Sequence, residues 1–386
     1  MSVAARVAII HDWLDTWRGG ENVLAEIIGL YPDADLFALV DFLPEALRAH
    51  ILGKHARTSF LQHVPGAQRH FRMMLPLFPR AIESLNVSRY ELVISSSHAV
   101  AKGVRTTEAQ LHICYCHTPM RYAWDLRDQY LADGALASGV RGTFARLMLD
   151  RVRDWDRATS NRVDHFVANS AYIRDRIARC YERDATVIHP PVDVAFFTPS
   201  PTPLAPHARD YYLTASRFVP YKRIDLIVAA FAKLPAKRLI VVGEGPEAPR
   251  IRALAGTNVE FMDELPREQL RELLRGARAF IFAAEEDFGI LPVEAQACGT
   301  PVIAYGRGGA LETVRNIGSP RPTGLFFATQ TADDIAATVI EFDALRQNVA
   351  TVDCRDNAQK FSVPRFGREM REFVERAWAG FTARER

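Results

Sequence analysis

The stretch Phe280-Ile-Phe-Ala-Ala-Glu-Glu-Asp-Phe-Gly-Ile-Leu-Pro-Val-Glu-Ala-Gln-Ala-Cys-Gly-Thr-Pro-Val-Ile303 decides the fold. Its opening apolar run is too short for a core helix and reads as a buried strand. An acidic loop containing Gly289 follows, a helical segment starts near Ile290, and Gly299-Thr-Pro301 stops it before a second apolar run. Strand, loop, helix and strand in so few residues form the crossover unit of a parallel sheet. The same alternation continues outward. In this half it places strands at Tyr211 to Ala215, Arg238 to Val242, Val259 to Met262, Ala279 to Ala283 and Pro301 to Tyr305. In the other half they fall at Arg6 to Ile10, Leu36 to Leu39, Leu92 to Ser95, Leu111 to Cys116 and His165 to Ala168, with a helix expected from Glu21.

Between the halves, Thr198-Pro-Ser-Pro-Thr-Pro-Leu-Ala-Pro206 is too proline-rich for helix or central strand and reads as a linker. The expected domains are therefore residues 1–200 and 201–364. A final helix over 365–386, carrying Phe366, Met370, Phe373, Val374 and Trp378 at helical spacing, is expected to pack back on the first. The fold class is α/β, two Rossmann-like domains facing across a cleft at the carboxyl ends of their strands, where open α/β sheets bind ligands.

The composition of the 386-residue chain, 48% apolar and 24% charged, is that of ordinary globular domains and argues against disorder or coiled coil. The 48 basic and 46 acidic residues nearly cancel, so no global field exists to hold a nucleic acid. Five cysteines without a C-x-x-C pair imply neither a disulfide framework nor a zinc ribbon, and a reducing cytoplasm is expected. The amino terminus moves directly into a strand without a signal-peptide pattern, and no apolar run is long enough to span a bilayer, so any membrane contact should be peripheral. No G-x-G-x-x-G follows the first strand, which counts against a nicotinamide dehydrogenase.

The chemistry concentrates on Glu286 and Glu294, eight positions apart. The first lies in the loop after a strand and the second just inside the next helix. Between them Phe288, Gly289, Ile290 and Leu291 offer backbone N–H groups at a helix start, where an anion is favoured. Glu286 could then meet a sugar hydroxyl and Glu294 a ribose. The plainer alternative makes one a solvated loop charge and the other a helix-dipole partner.

This constellation closely resembles the E-x7-E signature of retaining glycosyltransferases of family 4, with Ser216-Arg-Phe-Val-Pro-Tyr-Lys222, Val241-Val-Gly-Glu-Gly-Pro246, Gly308-Gly-Ala-Leu-Glu312 and Thr323-Gly-Leu-Phe326 in order around it. In the first half, His11-Asp-Trp-Leu14, Gly19-Gly-Glu21, Cys116-His-Thr-Pro-Met-Arg-Tyr-Ala-Trp124, Asn169-Ser170 with Arg174, and His189-Pro-Pro-Val-Asp193 resemble the bacterial mannosyltransferases of that family.

The resemblance implies a GT-B fold and transfer of a hexose, most simply mannose from GDP-mannose, to a glycan or lipid-linked acceptor in bacterial polysaccharide synthesis. A UDP-sugar donor, or a non-catalytic sugar-nucleotide binding protein, is the alternative. Arg217 and Lys222 would hold the leaving diphosphate. Gly19, Gly20 and Gly243 would let backbone approach the donor. His117 would touch the transferred sugar, and His11 and Asp12 the acceptor, with His98 structural or next to it. Glu286 positions rather than attacks, and no metal or other cofactor is needed. Asp33-Ala-Asp35 and Asp154-Trp-Asp156 share the D-x-D spelling of metal sites but are read as surface charge.

From Ala46 to Ile82 there is no acidic residue, while Arg48, Lys54, Arg57, Arg69, Arg72 and Arg80 alternate with Phe60, Phe71, Met73, Met74, Leu75, Leu77 and Phe78. That pattern suits either an anionic lipid surface at the inner membrane or an apolar face packed on the first sheet with cations outside.

Overall fold

The computed structural model describes residues 5–121, 123–124, 139–202 and 210–384. Tyr122 of the His117 segment and residues 203–206 of the proline run lie outside them. The chain forms two compact units, Met1–His189 with Phe366–Arg386, and Pro190–Arg365.

The first unit is built on a seven-stranded sheet in the order β3-β2-β1-β4-β5-β6-β7. Its strands are β1 (Val7–His11), β2 (Asp35–Ala38), β3 (Arg57–Thr58), β4 (Leu92–Ser97), β5 (Leu111–Cys116), β6 (His165–Ala168) and β7 (Ala185–Val187). Every pairing is parallel. Apolar side chains pack on both faces, which is why β1, β4 and β5 read as continuous buried runs rather than alternating ones. On one face Ile9, Ile94, Ile113 and Tyr115 meet Val23, Leu24 and Ile27 of the helix Gly19–Leu30. Phe366, Met370 and Val374 of the last helix, Val363–Arg384, join the same cluster.

The second unit carries a six-stranded, all-parallel sheet in the order β10-β9-β8-β11-β12-β13. Its strands are β8 (Tyr211–Ala215), β9 (Arg238–Val242), β10 (Val259–Met262), β11 (Phe280–Phe282), β12 (Val302–Tyr305) and β13 (Gly324–Phe327). The division between the units falls before Pro190, not in the proline run. Phe197 is buried in the second unit's core, and Arg275 donates to both the Thr198 carbonyl and its hydroxyl at 2.7 Å. The segment ahead of the prolines is thus tied into the second domain.

Three strands escape the sequence reading. Arg57–Thr58 and Ala185–Val187 are edge strands too short to display a period, and β13 opens on a glycine, a poor strand former. Among the described residues no helix is long and apolar enough to cross a membrane. The five cysteines are free and buried.

Asp156 corrects its reading as surface charge. It is fully buried, and its Oδ1 accepts from Lys102 Nζ at 2.6 Å while Oδ2 accepts from Trp124 Nε1 and Tyr181 Oη, each at 2.8 Å. A helix carrying mostly polar residues buries this one because a buried lysine on the loop after β4 needs a counter-charge. Losing one partner leaves the other charge uncompensated. Lys102→Met is therefore expected to destabilise the first unit by about 3–5 kcal/mol. All five tryptophans, Trp13, Trp17, Trp124, Trp155 and Trp378, lie in that unit, so tryptophan fluorescence in a urea titration reports it alone. An unchanged midpoint would contradict the assignment.

Candidate active site

In the first unit, β1, β4 and β5 bring His11, Ser96 and His117 together at their carboxyl ends. The Ser96 hydroxyl lies 3.1 Å from His11 Nδ1 and 2.9 Å from His117 Nε2. His117 is clamped at its backbone: its N–H donates to the Ser97 carbonyl at 2.8 Å, and its carbonyl accepts from Asn169 Nδ2 at 2.9 Å. Burial, followed by the neighbouring charge of His98, pulls the His117 imidazole down to about 3, so the ring is neutral.

Asp12 does not face outward toward an acceptor. Its carboxylate is fully buried and accepts four backbone N–H bonds, from His98 and Ala99 at 2.6 and 3.0 Å and from Val100 and Ala101 at 2.6 and 2.7 Å. His98 Nδ1 adds a contact at 2.9 Å. Burial alone would raise its pKa, but His98, by charge and hydrogen bond, holds the group far below the usual carboxylate range. The reciprocal effect lifts His98 above an ordinary histidine despite its own burial cost. Asp12 thus organises the loop after β4, and His98, with 29% of its side chain exposed, is the accessible member of the pair.

Gly19 and Gly20 are not loop residues but the first turn of the helix Gly19–Leu30, and neither has a positive φ. A Cβ built on Gly20 would lie 3.9 Å from the His117 ring, an ordinary contact. Glu21 in the same turn is buried, and its Oε2 accepts from the Arg18 backbone N–H at 2.9 Å.

In the second unit, β8, β9 and β11 carry the other candidates. Lys222, in the turn Pro220–Lys222 after β8, forms an ion pair with Glu286, in the loop after β11. Sequence spacing alone gave no reason to expect that contact. Arg217 is exposed, and its guanidinium makes no ion pair among the described residues. Gly243 follows β9 with φ +131°, and any Cβ there would sit 1.9 Å from the Ser216 carbonyl oxygen. Only glycine lets the loop after β9 lie on the loop carrying Arg217.

A second pair of loops is fitted in the same way. A Cβ on Gly309 would fall 2.3 Å from the Phe288 Cα, and the Gly309 N–H donates to the Glu286 carbonyl at 2.8 Å. Gly289, at φ +85°, caps the helix Ile290–Ala297, whose first turn contains Ile290 and Leu291. The Phe288 side chain is buried in the core below.

Sequence reasoning missed three contributors: Ser96, Asn169 as the holder of the His117 carbonyl, and Glu21 as a buried partner of the histidines. Ser95-Ser-Ser97 at the end of an otherwise apolar strand was the available signal. The described residues contain no group of three histidine, cysteine or acidic side chains placed to hold a metal.

With this geometry in view, comparison with known proteins places the chain. The family model "Glycosyltransferase Family 4" matches residues 32–196, and "Glycosyl transferases group 1" matches residues 200–361. A GDP-mannose-dependent monoacylated alpha-(1-6)-phosphatidylinositol monomannoside mannosyltransferase of Corynebacterium glutamicum is 30% identical over 274 residues, 64% of this chain and 70% of the relative. A D-inositol 3-phosphate glycosyltransferase of Mycobacteroides abscessus is 30% identical over 46% of this chain, which spans only 44% of that relative's length. Among solved structures, sucrose-phosphate synthase from Thermosynechococcus elongatus matches with a TM-score of 0.72 at 19% identity, covering 97% of this chain and all of that one. HepE of Anabaena, in complex with UDP, matches at 0.69 and 17% identity, covering 96% and 99%. The chain belongs to glycosyltransferase family 4, and its two Rossmann-like units are those of the GT-B fold.

Glu294 lies one turn into its helix and is part-buried. Desolvation pushes its carboxyl up from 4.5 to about 7. A carboxyl raised in the folded state costs stability as pH climbs from 4.5 through about 7, because its ionised form is disfavoured there. Glu294→Gln removes that cost. The ligand-free variant should gain on the order of 1–2 kcal/mol over the parent at pH 8 and little at pH 5, after allowing for solvent at a part-exposed group. Calorimetric melting at the two pH values checks this, and an equal difference at both would contradict it.

Proposed function

We propose that this chain transfers a hexose, mannose from GDP-mannose, to a glycan or lipid-linked acceptor of bacterial polysaccharide synthesis, with retention of anomeric configuration. The observation that carries the reading is the convergence of Lys222, Glu286 and the exposed Arg217 on loops that glycines hold together at the strand ends of the second unit. Two cations and a set of helix-start amides suit a diphosphate, and a carboxylate beside them suits a sugar hydroxyl. The mannosyl donor is the choice favoured by the Corynebacterium relative's name.

In the reaction proposed, the acceptor hydroxyl forms its bond to the anomeric carbon on the face from which the nucleotide diphosphate departs. The acceptor's proton passes to the leaving phosphate oxygen. Arg217 and Lys222 stabilise the charge growing on that diphosphate without a metal ion, and His117 holds the sugar. Glu286, engaged with Lys222, orients the hexose and is no glycosidase-like nucleophile.

Lys222→Ala and Arg217→Ala should each lower turnover a hundredfold or more, roughly 3 kcal/mol of transition-state stabilisation, with activity unaffected by EDTA. Glu286→Gln should weaken GDP-mannose binding while sparing GDP, and Glu294→Gln should weaken both, by calorimetric titration. Preference for UDP-sugars in the same titration would replace the donor. Binding without any transfer or donor hydrolysis would leave a sugar-nucleotide binding protein.

The proposed partners include an anionic membrane. Within the basic stretch Phe71 and Phe78 are core and Arg48 is buried on Asp41, while Phe60, Met73 and Leu77 are 45%, 79% and 40% exposed and Arg69 and Arg80 are exposed too, which supports the lipid reading for these residues. Each such cation contributes about 1 kcal/mol at a charged leaflet. Sedimentation with phosphatidylglycerol vesicles, but not phosphatidylcholine ones, is expected, and should be lost in Arg69→Glu/Arg80→Glu and in Met73→Asp. Equal sedimentation of parent and variants would remove the membrane from the account.

A further inference from the structure

The loops at the carboxyl edge of the second sheet are residues 216–223 after β8, 243–247 after β9, 263–266 after β10, 283–289 after β11, 306–309 after β12 and 328–331 after β13. Together they hold seven carboxylates and four cations, so the edge as a whole repels an anion. A diphosphate can be held there only by direct contact with cations that the chain has not already neutralised. Two of the four are committed: Lys222 pairs with Glu286, and Arg223 with Asp225 at 3.4 Å. The other two, Arg217 and Arg307, are exposed, and neither guanidinium makes an ion pair among the described residues.

The backbone fixes where Arg307 stands. Its own N–H donates to the Tyr305 carbonyl at 2.7 Å, turning the chain sharply as it leaves β12. Gly308 follows with φ +63°, and a Cβ there would lie 2.4 Å from the Glu286 carbonyl oxygen, the atom that accepts from the Gly309 N–H. The loop carrying Arg307 is thus pressed onto the backbone of Glu286, whose side chain reaches Lys222 on the other side. In the sheet, β11 lies between β8 and β12. The strand ends that launch Arg217 and Arg307 are therefore two strand spacings apart, roughly 10 Å. Two long side chains can close that gap on one diphosphate lying over the loop of Glu286.

We propose that Arg307 is a further diphosphate-binding residue, one that takes the phosphate next to the transferred sugar while Arg217 takes the diphosphate from the β8 side. This rests on the donor site given above to the second unit. Glu286 is the carboxylate assigned to the hexose, and Arg307 is anchored to that residue rather than to the loops after β9 and β10, so the phosphate it meets is the one bonded to the sugar. A guanidinium presents a planar fork to two oxygens of that group. Negative charge grows on the same oxygens as the bond to the sugar breaks, so the contact strengthens in the transition state.

A nucleoside monophosphate lacks the phosphate in question, which makes the contact separable. Calorimetric titration of the full chain with GMP, GDP, UMP and UDP in EDTA reads it. The parent should bind one diphosphate more tightly than its monophosphate. Arg307→Ala should weaken that diphosphate about tenfold, the order of one charged hydrogen bond, and the monophosphate less than about twofold. Arg307→Lys, which keeps the charge, should recover most of the affinity. The side chain has no ion-pair partner to strand, so the ligand-free melting temperature of Arg307→Ala should match the parent's. Equal losses for diphosphate and monophosphate would overturn the inference and leave the donor site standing. So would an Arg307→Ala variant that binds the diphosphate like the parent while Arg217→Ala does not. A parent that binds neither diphosphate better than its monophosphate would overturn the donor site, and this inference with it.

Discussion

A parallel sheet delivers the carboxyl ends of all its strands to one edge, and everything proposed for this chain depends on that constraint. In the first unit the edge collects His11, Ser96 and His117 from three adjacent strands, and in the second it collects Lys222, Gly243 and Glu286. The residues are far apart in sequence but neighbours in register: His11 stands opposite Ser96, and Ser97 opposite Cys116, the residue before His117. Apolar packing on both faces makes the register costly to shift, so the polar ends inherit their precision from the core beneath them.

Polar groups at such an edge lose much of their water, and the chain supplies each with a partner. Asp12 is absorbed by four amides and His98, Glu21 by a helix start and His11, and Lys222 by Glu286. Glu294 departs from that pattern, since burial raises it to about 7 without an adequate counter-charge. A carboxyl left in that condition destabilises the free protein as pH rises through its range.

The fold was legible because buried parallel strands read as apolar runs separated by helical spacing, and β5, β6, β8, β9 and β10 fall on the residues expected of them. The strands that were missed lie at sheet edges or begin with glycine, where little burial marks the sequence. Individual candidates such as His117 and Glu286 could be named from motifs, but the contacts each makes within its own unit could not. Lys222 with Glu286, and Lys102 with Asp156, are separated by 64 and 54 positions, and no local period connects them. Asp156 shows the cost of reading charge by composition: its D-x-D spelling sits on a polar helix, yet the packing of Lys102, Trp124 and Tyr181 makes it the most enclosed carboxylate of that helix. Asp12 follows directly from its strand's end, where an acceptor contact is expected, and here a loop folds over it instead.

In the reaction proposed, the nucleotide sugar is activated on this chain and its anomeric carbon is attacked from the face the diphosphate leaves. Slow hydrolysis of GDP-α-mannose in the absence of acceptor tests it without knowledge of the acceptor, with water taking the acceptor's place. Proton NMR followed from the first minutes should show α-mannose released ahead of its mutarotation to the β anomer, with release abolished in Lys222→Ala. Initial release of β-mannose, or a rate unchanged by that substitution, would contradict the account.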